Sequence, residues 1–567
     1  MIKEILQSKI NDALAKINIT DVNFVLEHPA DLSHGDYACN VAMVAAKAAG
    51  ANPRELAEKI VAEIEKGNEV ANIEVAGPGF INFTLSRDFF TQSVGQILGD
   101  KNFGSNKVLA DKKIMLEYTD PNPFKQFHIG HLMTNAIGES LARIYEAHGA
   151  TAIRANYQGD VGMHVAKAIY GIQQLGDMPD ATEPLSVRTK FLGDAYVAGA
   201  KAYEEDENAK EPIHVINKAV YEKNDTGINE VYALGRAWSL EHFEEIYEIL
   251  GTKFNHYFFE GDVAGDGIAL VTEYLEKGVF EESDGAIVYK GEQDGLHTRV
   301  FLNSEGLPTY EAKEIGLMKQ KFTTEADMDE SITITANEQK EYMKVVYAAA
   351  KHIWPDYIEK STHIVHGMMT GPGGKKMSSR RGEVITGESL LSEVQEVARE
   401  KITEAGKVTE ITDQLVEQIA VAAIKYMILK QDSTKNIVFD LEQALSFEGD
   451  SGPYLQYTYA RAQSAIAKGQ GENIMPDTSV APDEITDLER LLYRFPETVQ
   501  SALSDYAPHH VTQYLIELAR VFNSFYGNTK LVDDSEYSPY RLAMATATTT
   551  VIKNGLSMLG IETPERM

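Results

Sequence analysis

Two histidines spaced three residues apart are the side chains of this sequence best placed to do chemistry. His128 and His131 end the stretch PNPFKQFHIGH, residues 121–131, which follows the apolar run 114–116 and opens an apolar-periodic helix. The spacing places both rings on one face of the first helical turn, beside unpaired backbone N–H groups and the positive end of the helix dipole. The pattern predicts a strand, a tight turn and a helix whose N-terminus binds phosphate. Surface histidines or metal ligands can share this spacing, but no third ligand of suitable spacing stands nearby.

A second cationic element lies roughly 250 residues downstream. Residues 371–382 read GPGGKKMSSRRG, a glycine-rich segment with four cations close to two hydroxyls. Such a loop can close on a polyphosphate, although a solvated basic turn has the same composition.

Together, and in this order, the two elements resemble the paired H-I-G-H and K-M-S-K-S signatures of class I aminoacyl-tRNA synthetases. The resemblance implies a set of ATP-binding residues: His128, Gly130, His131, Lys376, Met377 and Ser378. Of these, both histidines and Lys376 are implied to act on the phosphates during catalysis.

The downstream segment departs from its signature at the second lysine, which is replaced by Ser379. In relatives with this loss, a lysine just upstream of the histidine pair is thought to substitute. Lys125 fits that description and joins the candidate catalytic residues, while Arg380 is its rival for the missing charge.

Length and composition are typical of a multidomain globular protein. The 567 residues, of which 43% are hydrophobic and 9% aromatic, are enough for about three or four domains with large cores. A single cysteine, Cys39, excludes an intramolecular disulfide and a cysteine-based zinc cluster. The first residues lack the features of a signal peptide and no run of about 20 apolar residues occurs, so we expect a soluble cytoplasmic protein without a membrane partner.

The net charge of −32 argues against a protein that binds nucleic acid mainly by electrostatic attraction. We therefore expect no DNA partner. An RNA partner is compatible with this charge if the 53 basic residues gather on one face, because RNA recognition also uses shape, stacking and base-edge contacts.

Hydrophobic periodicity predicts a multidomain α/β architecture. Residues 1–105 suggest a small α+β domain with two extended runs, and residues 106–395 a Rossmann-like, doubly wound parallel sheet with a helical insertion around 171–290. The apolar runs 286–289 and 332–336 are expected to resume that sheet. Residues 396–567 predict an all-α bundle.

Three further segments narrow the resemblance to arginyl-tRNA synthetases, and the similarity spans nearly the whole chain. They are HGDYA at 34–38 with GPGFIN at 77–82, GPYLQYTYAR at 452–461, and TPERM at 563–567. The resemblance implies an N-terminal domain that contacts the tRNA elbow and a C-terminal domain that binds the anticodon through Tyr454, Tyr457, Tyr526 and Met567. From spacing alone, Tyr454 and Tyr457 could stack on unpaired bases, but tyrosines at this spacing are usually half-buried helix contacts.

The same resemblance implies an arginine pocket formed by Glu117, Asn122, Tyr310, Glu314 and Gln339. A guanidinium presents a planar fork of donors, which calls for carboxylates in bidentate geometry. Glu314 is the candidate carboxylate, although the family usually has aspartate there and Tyr310 with Glu314 could also be an ordinary exposed i,i+4 pair. A polar pocket of this kind discriminates strongly enough to need no editing domain.

We therefore expect ATP-dependent ligation of L-arginine to the 3′ end of tRNA(Arg) through an arginyl-adenylate. The resemblance further implies Mg²⁺ with the ATP, no tightly bound cofactor, no protein-held metal, tRNA-dependent activation and a monomer. One alternative is another H-I-G-H enzyme that activates a small acid without RNA, which the helical C-terminal region of roughly 170 residues disfavours. The other is a catalytically silent RNA-binding paralogue, which the intact His128, Gly130, His131 and Lys376 disfavour.

Overall fold

The computed structural model describes residues 1–374, 386–406 and 410–567, and its first hundred residues form a small α+β domain. Its elements are α1 (Ile2–Lys16), β1 (Leu26–Glu27), β2 (Tyr37–Cys39), α2 (Val41–Ala49), α3 (Pro53–Glu63), β3 (Val70–Ala76), β4 (Phe80–Leu85) and α4 (Arg87–Gly99). The strands form an antiparallel sheet in the order β1-β2-β4-β3, where the sequence predicted two extended runs. The two extra strands, β1 and β2, are too short to show a period.

The middle of the chain forms a five-stranded parallel sheet with helices on both faces. Its elements, with an accompanying small sheet, are β5 (Lys113–Glu117), α5 (Ile129–Ala147), β6 (Thr151–Gln158), α6 (Met163–Leu175), α7 (Leu185–Glu205), α8 (Glu207–Glu222), α9 (Thr226–Ile249), β7 (His256–Phe259), α10 (Glu260–Glu276), β8 (Glu281–Ser283), β9 (Ala286–Tyr289), β10 (Arg299–Leu302), α11 (Tyr310–Thr324), β11 (Glu330–Ala336), α12 (Lys340–Ile353), α13 (Pro355–Glu359) and β12 (Ser361–His366).

The strand order of the parallel sheet is β12-β11-β5-β6-β7. The chain moves from β5 outward through β6 to β7, and then returns to the other side of β5 to add β11 and β12. The doubly wound sheet predicted from the sequence is therefore confirmed. Its topological switch point lies between β5 and β11, and the carboxyl ends of the strands beside such a point are where ligands bind in this class of fold.

Two strands lie where the sequence did not predict them. The expectation that the run 286–289 resumes the main sheet is wrong, because this run is β9 of a separate antiparallel sheet in the order β10-β9-β8. β7, by contrast, belongs to the main sheet although it lies within the range 171–290. A short apolar run is consistent with a buried strand, but it does not show which partner that strand pairs with.

The remainder of the described chain is almost entirely helical. Its elements are β13 (Met369–Thr370), α14 (Gly387–Ala405), α15 (Asp413–Leu429), β14 (Ile437–Val438), α16 (Leu441–Ala444), α17 (Gly452–Gly471), α18 (Asp487–Leu492), α19 (Phe495–Ser504), α20 (His509–Asn528) and α21 (Ser538–Met558). One continuous hydrophobic core joins α5 and the sheet to these C-terminal helices. No helix in the described ranges is long and apolar enough to cross a membrane.

The motif at 34–38 holds the N-terminal domain against the C-terminal helices. Asp36 is fully buried, accepts a hydrogen bond from the backbone N–H of Leu85 at 2.8 Å, and pairs with Arg490 of α18. The neighbouring Tyr37 hydroxyl donates to Glu497 of α19. These two motif residues are therefore interdomain contacts.

Candidate active site

A cavity of about 280 Å³ opens at the carboxyl ends of the parallel strands, beside the switch point. It is bounded by the turn after β5, the first turns of α5 and α11, and the ends of β6, β11 and β12. The structure brings together here the sequence-predicted residues Glu117, Asn122, Lys125, His128, Gly130, His131, Tyr310, Glu314 and Gln339. These residues come from segments more than 200 positions apart in the chain.

The histidine pair stands at the N-terminus of α5. His128 is the N-cap residue, His131 lies in the first turn, and the two rings stack with centroids 3.4 Å apart. The backbone N–H of His128 donates to Nδ1 of His131 at 3.2 Å. Because that nitrogen accepts, a neutral His131 carries its hydrogen on Nε2. Gly130 lets the His128 ring keep this place, since a Cβ at position 130 would lie 2.9 Å from Cε1 of His128.

Both histidines are neutral at physiological pH. Desolvation by the surrounding protein, and then the charge of Lys125, lower the pKa of His128 to about 4. The residue is nevertheless exposed in part to solvent. Burial, His128 and Lys125 together hold the pKa of His131 well below its usual value. The pair therefore offers hydrogen bonds, while positive charge at this end of the cavity comes from Lys125 and the helix dipole.

Carboxylates crowd the opposite part of the cavity. Glu117 is buried and pairs with Lys321, with Oε2 and Nζ 2.8 Å apart. Burial, and then the Glu117 charge, raise the pKa of Glu314 to about 8, and the Tyr342 hydroxyl donates to its Oε1 at 3.3 Å. The same two causes raise the pKa of Asp120 well above its usual value. Three carboxyl groups around one lysine repel one another when they are ionised, and a cationic ligand would relieve that repulsion and favour their ionised forms.

The sequence analysis missed two acidic residues of this cavity. Asp120 lies between the predicted Glu117 and Asn122, so its place in the same turn was the available signal. Glu260 begins α10 directly after β7, pairs with Lys313, and has a pKa raised by burial. The sequence analysis missed Glu260 because it assigned residues 171–290 to a helical insertion and so did not recognise β7, the strand that Glu260 follows.

The turn after β5 aims these groups through unusual backbone geometry. Thr119 and Asp120 have φ of 80° and 48°. A left-handed conformation is a genuine outlier for a β-branched residue, and strain of this kind clusters at functional sites. The backbone N–H of Tyr157 holds the turn by donating to Oδ1 of Asp120 at 2.7 Å. Gly159 leaves room for Asn122, whose Oδ1 would lie 2.3 Å from a Cβ at that position.

Tyr310 and Gln339 form the rim of the cavity. Tyr310 is 62% exposed and its ring lies over Nζ of Lys313 at 4.5 Å, while Gln339 is also exposed. Glu314, one helical turn from Tyr310, is half-buried and lines the cavity. The two residues are therefore not a simple exposed pair.

Residues 375–382 of the second predicted element lie outside the described residues, and these include Lys376, Met377, Ser378, Ser379 and Arg380. The chain that follows it returns directly to the histidine pair. The backbone N–H of Gly387 donates to the carbonyl of Phe127 at 2.8 Å, and Oε1 of Glu388 accepts from the Phe127 N–H at 3.2 Å. The start of α14 is thus anchored to the residue before His128.

The predicted tRNA contacts lie on α17, on α20 and at the end of the chain, and none of them lines the cavity. Arg461 links α17 to α20, because its guanidinium lies 4.2 Å from the Tyr526 ring centre and donates to Oδ1 of Asn523 at 3.1 Å. Asn523 in turn donates to the Tyr454 hydroxyl at 3.0 Å. Tyr457 is half-buried one turn further along α17.

The end of the chain lies against the same helix. Nε2 of Gln456 on α17 donates to the carbonyl of Glu562 at 2.8 Å, which holds the tail that ends in the half-buried Met567. The structure therefore draws the tail and the tyrosines of α17 to one region.

Comparison with known families matches three successive parts of the chain. Residues 4–85 match the arginyl-tRNA synthetase N-terminal domain, residues 93–441 the catalytic domain of class I tRNA synthetases of the arginine type, and residues 455–567 the DALR anticodon-binding domain. Among curated proteins, the arginine–tRNA ligase of Enterococcus faecalis is 30% identical and that of Oenococcus oeni 31% identical. The match covers 100% of both chains for the first and 99% of both for the second.

Solved structures show the same fold. The arginyl-tRNA synthetase of Thermus thermophilus superposes with a TM-score of 0.80 at 24% identity, over 100% of both chains. That of Plasmodium falciparum superposes with a TM-score of 0.79 at 22% identity, over 100% of this chain and 99% of the other.

Proposed function

The chain belongs to the arginyl-tRNA synthetase family, and we propose which of its residues ligate L-arginine to the 3′ end of tRNA(Arg) with ATP. In the first step the arginine carboxylate attacks the α-phosphorus of ATP, pyrophosphate leaves, and arginyl-adenylate forms. In the second step a hydroxyl of the terminal tRNA ribose takes the arginyl group and AMP leaves. One observation carries the assignment of residues: a carboxylate cluster and a helix N-terminus with two neutral histidines line one and the same cavity.

Arginine binds on the acidic side of the cavity. Glu117 and Glu314 pair with the guanidinium, and Asn122, Tyr310 and Gln339 complete the pocket. A lysine ammonium cannot supply the planar fork of donors, and neutral citrulline would leave the carboxylates without a counter-charge. Since either substitute leaves buried polar groups unpaired, binding alone rejects both strongly.

The phosphates of ATP bind at the opposite end, where activation develops negative charge on the phosphate oxygens. His131 donates from Nε2, His128 borders the same space, Gly130 lets the nucleotide approach α5 closely, and Lys125 supplies the charge that Ser379 does not. Positioned donors and cations of this kind contribute several kcal/mol of transition-state stabilisation. Lys376, Met377 and Ser378 complete the ATP site, and ATP enters as its Mg²⁺ complex.

The C-terminal helices bind the tRNA anticodon through Tyr454, Tyr457, Tyr526 and Met567. The bridge from Tyr454 through Asn523 and Arg461 to Tyr526 supports this, because it presents half-buried rings beside a cation, and such rings stack on unpaired bases. The protein acts as a cytoplasmic monomer and activates arginine only when tRNA is bound. Its domains span 1–105, 106–395 with the insertion around 171–290, and 396–567.

Pyrophosphate exchange with each of the twenty amino acids, with and without total tRNA, tests the proposal. We expect exchange with arginine alone, and only when tRNA is present. Exchange with arginine in the absence of tRNA would remove the tRNA dependence and keep the residue assignment. Exchange with no amino acid would overturn the assignment and favour a catalytically silent paralogue.

A further inference from the structure

One histidine of the cavity has a buried ring nitrogen with no partner. His366 ends β12, is 1% exposed, and lines the cavity. Its Nδ1 lies 2.7 Å from the carbonyl oxygen of Gly367. Within the part of the chain that the structure describes, no protein group hydrogen-bonds its Nε2. A buried polar atom left unpaired is costly and rare, so the atom calls for a ligand.

The chemistry of that nitrogen follows from the hydrogen bond on the other side of the ring. A carbonyl oxygen only accepts, so Nδ1 must carry the ring hydrogen. Burial lowers the pKa of His366, which keeps the ring neutral. Nε2 therefore presents a lone pair and requires a hydrogen-bond donor.

The part of the cavity around His366 suits a nucleoside. The carboxylates belong to the end of β5, the turn after it and the first turns of α10 and α11, and the histidine pair belongs to the N-terminus of α5. The remaining lining residues at the ends of β11 and β12 and on α12 are uncharged, including Ile334, Ala336 and Met343. With arginine on the acidic side and the phosphates at α5, the base of ATP is left with this uncharged wall.

We propose that Nε2 of His366 accepts a hydrogen bond from the exocyclic amine of adenine and so makes the enzyme selective for ATP over triphosphates that lack that amine. The inference rests on the proposed place of the ATP phosphates at α5. Inosine triphosphate presents a carbonyl oxygen where adenine has its amine, so two acceptors would face each other. Purine riboside triphosphate has only a C–H there and leaves the lone pair unpaired.

Steady-state charging of tRNA(Arg) with four triphosphates tests this directly. The substrates are ATP, purine riboside triphosphate, inosine triphosphate and 2′-deoxy-ATP, each with wild-type protein and with His366→Phe, His366→Gln and His352→Phe. Phenylalanine keeps an aromatic ring without an acceptor, and glutamine restores an acceptor oxygen. His352 is exposed on α12 and does not line the cavity, so it controls for loss of a histidine.

We expect wild-type kcat/KM to be about tenfold higher for ATP than for purine riboside triphosphate, and at least as much higher than for inosine triphosphate. His366→Phe should erase this preference mainly through the KM for ATP, His366→Gln should restore part of it, and His352→Phe should keep all of it.

Equal use of ATP and purine riboside triphosphate by the wild type would overturn the inference and leave the proposed function standing. If His366→Phe removes only the preference for ATP over 2′-deoxy-ATP and keeps the preference over the two base analogues, then Nε2 binds a ribose hydroxyl. That result would overturn the adenine assignment. Failure of the wild type to charge tRNA with any triphosphate would overturn the inference and the proposed function together.

Discussion

Arginine should bind this protein more tightly as the pH rises, because Glu314 shares the cavity with Glu117. Burial and the Glu117 charge raise the Glu314 pKa to about 8. Pairing with the guanidinium requires the ionised carboxylate. At pH 7 a group with this pKa is ionised in about one molecule in eleven, so the apparent affinity is about tenfold below its value at high pH. Each further pH unit downward should cost about another factor of ten, and the affinity should level off above about pH 8.

The same proton governs the stability of the unliganded protein. The folded state holds the Glu314 proton up to about pH 8, whereas the unfolded chain releases it near the ordinary glutamate pKa of 4.5. Because a raised pKa stabilises the protonated fold, this contribution is fully present below about pH 4.5 and is lost as the pH rises through 8. Glu314→Gln should therefore raise the melting temperature of the arginine-free protein at pH 8.5, where Glu314 of the wild type is about three-quarters ionised.

Calorimetric titration of arginine from pH 6 to 8.5, in two buffers with different ionisation enthalpies, measures the effect. Wild-type protein should release close to one proton at pH 7. Glu314→Gln should bind arginine about tenfold to a hundredfold more weakly at pH 8.5, with little dependence on pH, because it loses a charge-assisted pair. Glu341→Gln, an exposed carboxylate of α12 that pairs with Lys344, is the matched control and should behave as wild type. A wild-type Kd that changes less than about threefold between pH 6 and 8 would refute the reasoning, as would a pH dependence that survives in Glu314→Gln.

Three further substitutions probe the rest of the molecule. Lys125→Ala should slow pyrophosphate exchange about tenfold or more, which is equivalent to about 1.4 kcal/mol of transition-state stabilisation. The reason is that it removes the lysine whose positive charge acts on both His128 and His131. Gly130→Ala should reduce kcat by a similar factor without lowering the melting temperature, since the new Cβ would push the His128 ring from its place. Asp36→Asn should lower the free energy of unfolding by about 3 kcal/mol in urea, because it leaves Arg490 without its buried partner, while exchange activity persists.

Each of these three variants has a control substitution of the same residue type elsewhere in the chain, which separates the effect of the site from the effect of the substitution itself. Lys277→Ala removes an exposed lysine paired with Glu273, and should leave exchange unchanged. Gly265→Ala adds a Cβ on α10 that meets nothing within 4 Å, and should keep full activity. Asp12→Asn changes an exposed carboxylate of α1. Normal exchange by Lys125→Ala would leave the compensating charge to Arg380, and unchanged stability of Asp36→Asn would show that the interdomain pair contributes nothing net.

The sequence by itself determined the features that depend on local geometry. The strand, turn and helix around His128 and His131 followed from an apolar run and a spacing of three, because the helical period puts i and i+3 on one face whatever surrounds them. The buried stripe of Phe243, Ile246 and Tyr247 was predictable for the same reason. The family resemblance identified distant residues such as Glu314 as members of the arginine pocket, but it did not predict their burial, their neighbours or their pKa values.

Tertiary structure alone decided which groups meet and what that does to them. Glu117, Asp120 and Glu314 come from segments nearly 200 residues apart, and their mutual repulsion, with the raised pKa of Glu314, exists only once β5 and α11 pack together. β9 pairs with β8 and β10 in a separate sheet, although its apolar pattern would also have allowed it to pair in the main sheet. Nε2 of His366 carries a lone pair because Nδ1 of the same ring donates its hydrogen to the carbonyl oxygen of Gly367. Electrostatic coupling, strand pairing and hydrogen-bond direction depend on distances across the fold, and a linear pattern of residue types does not contain those distances.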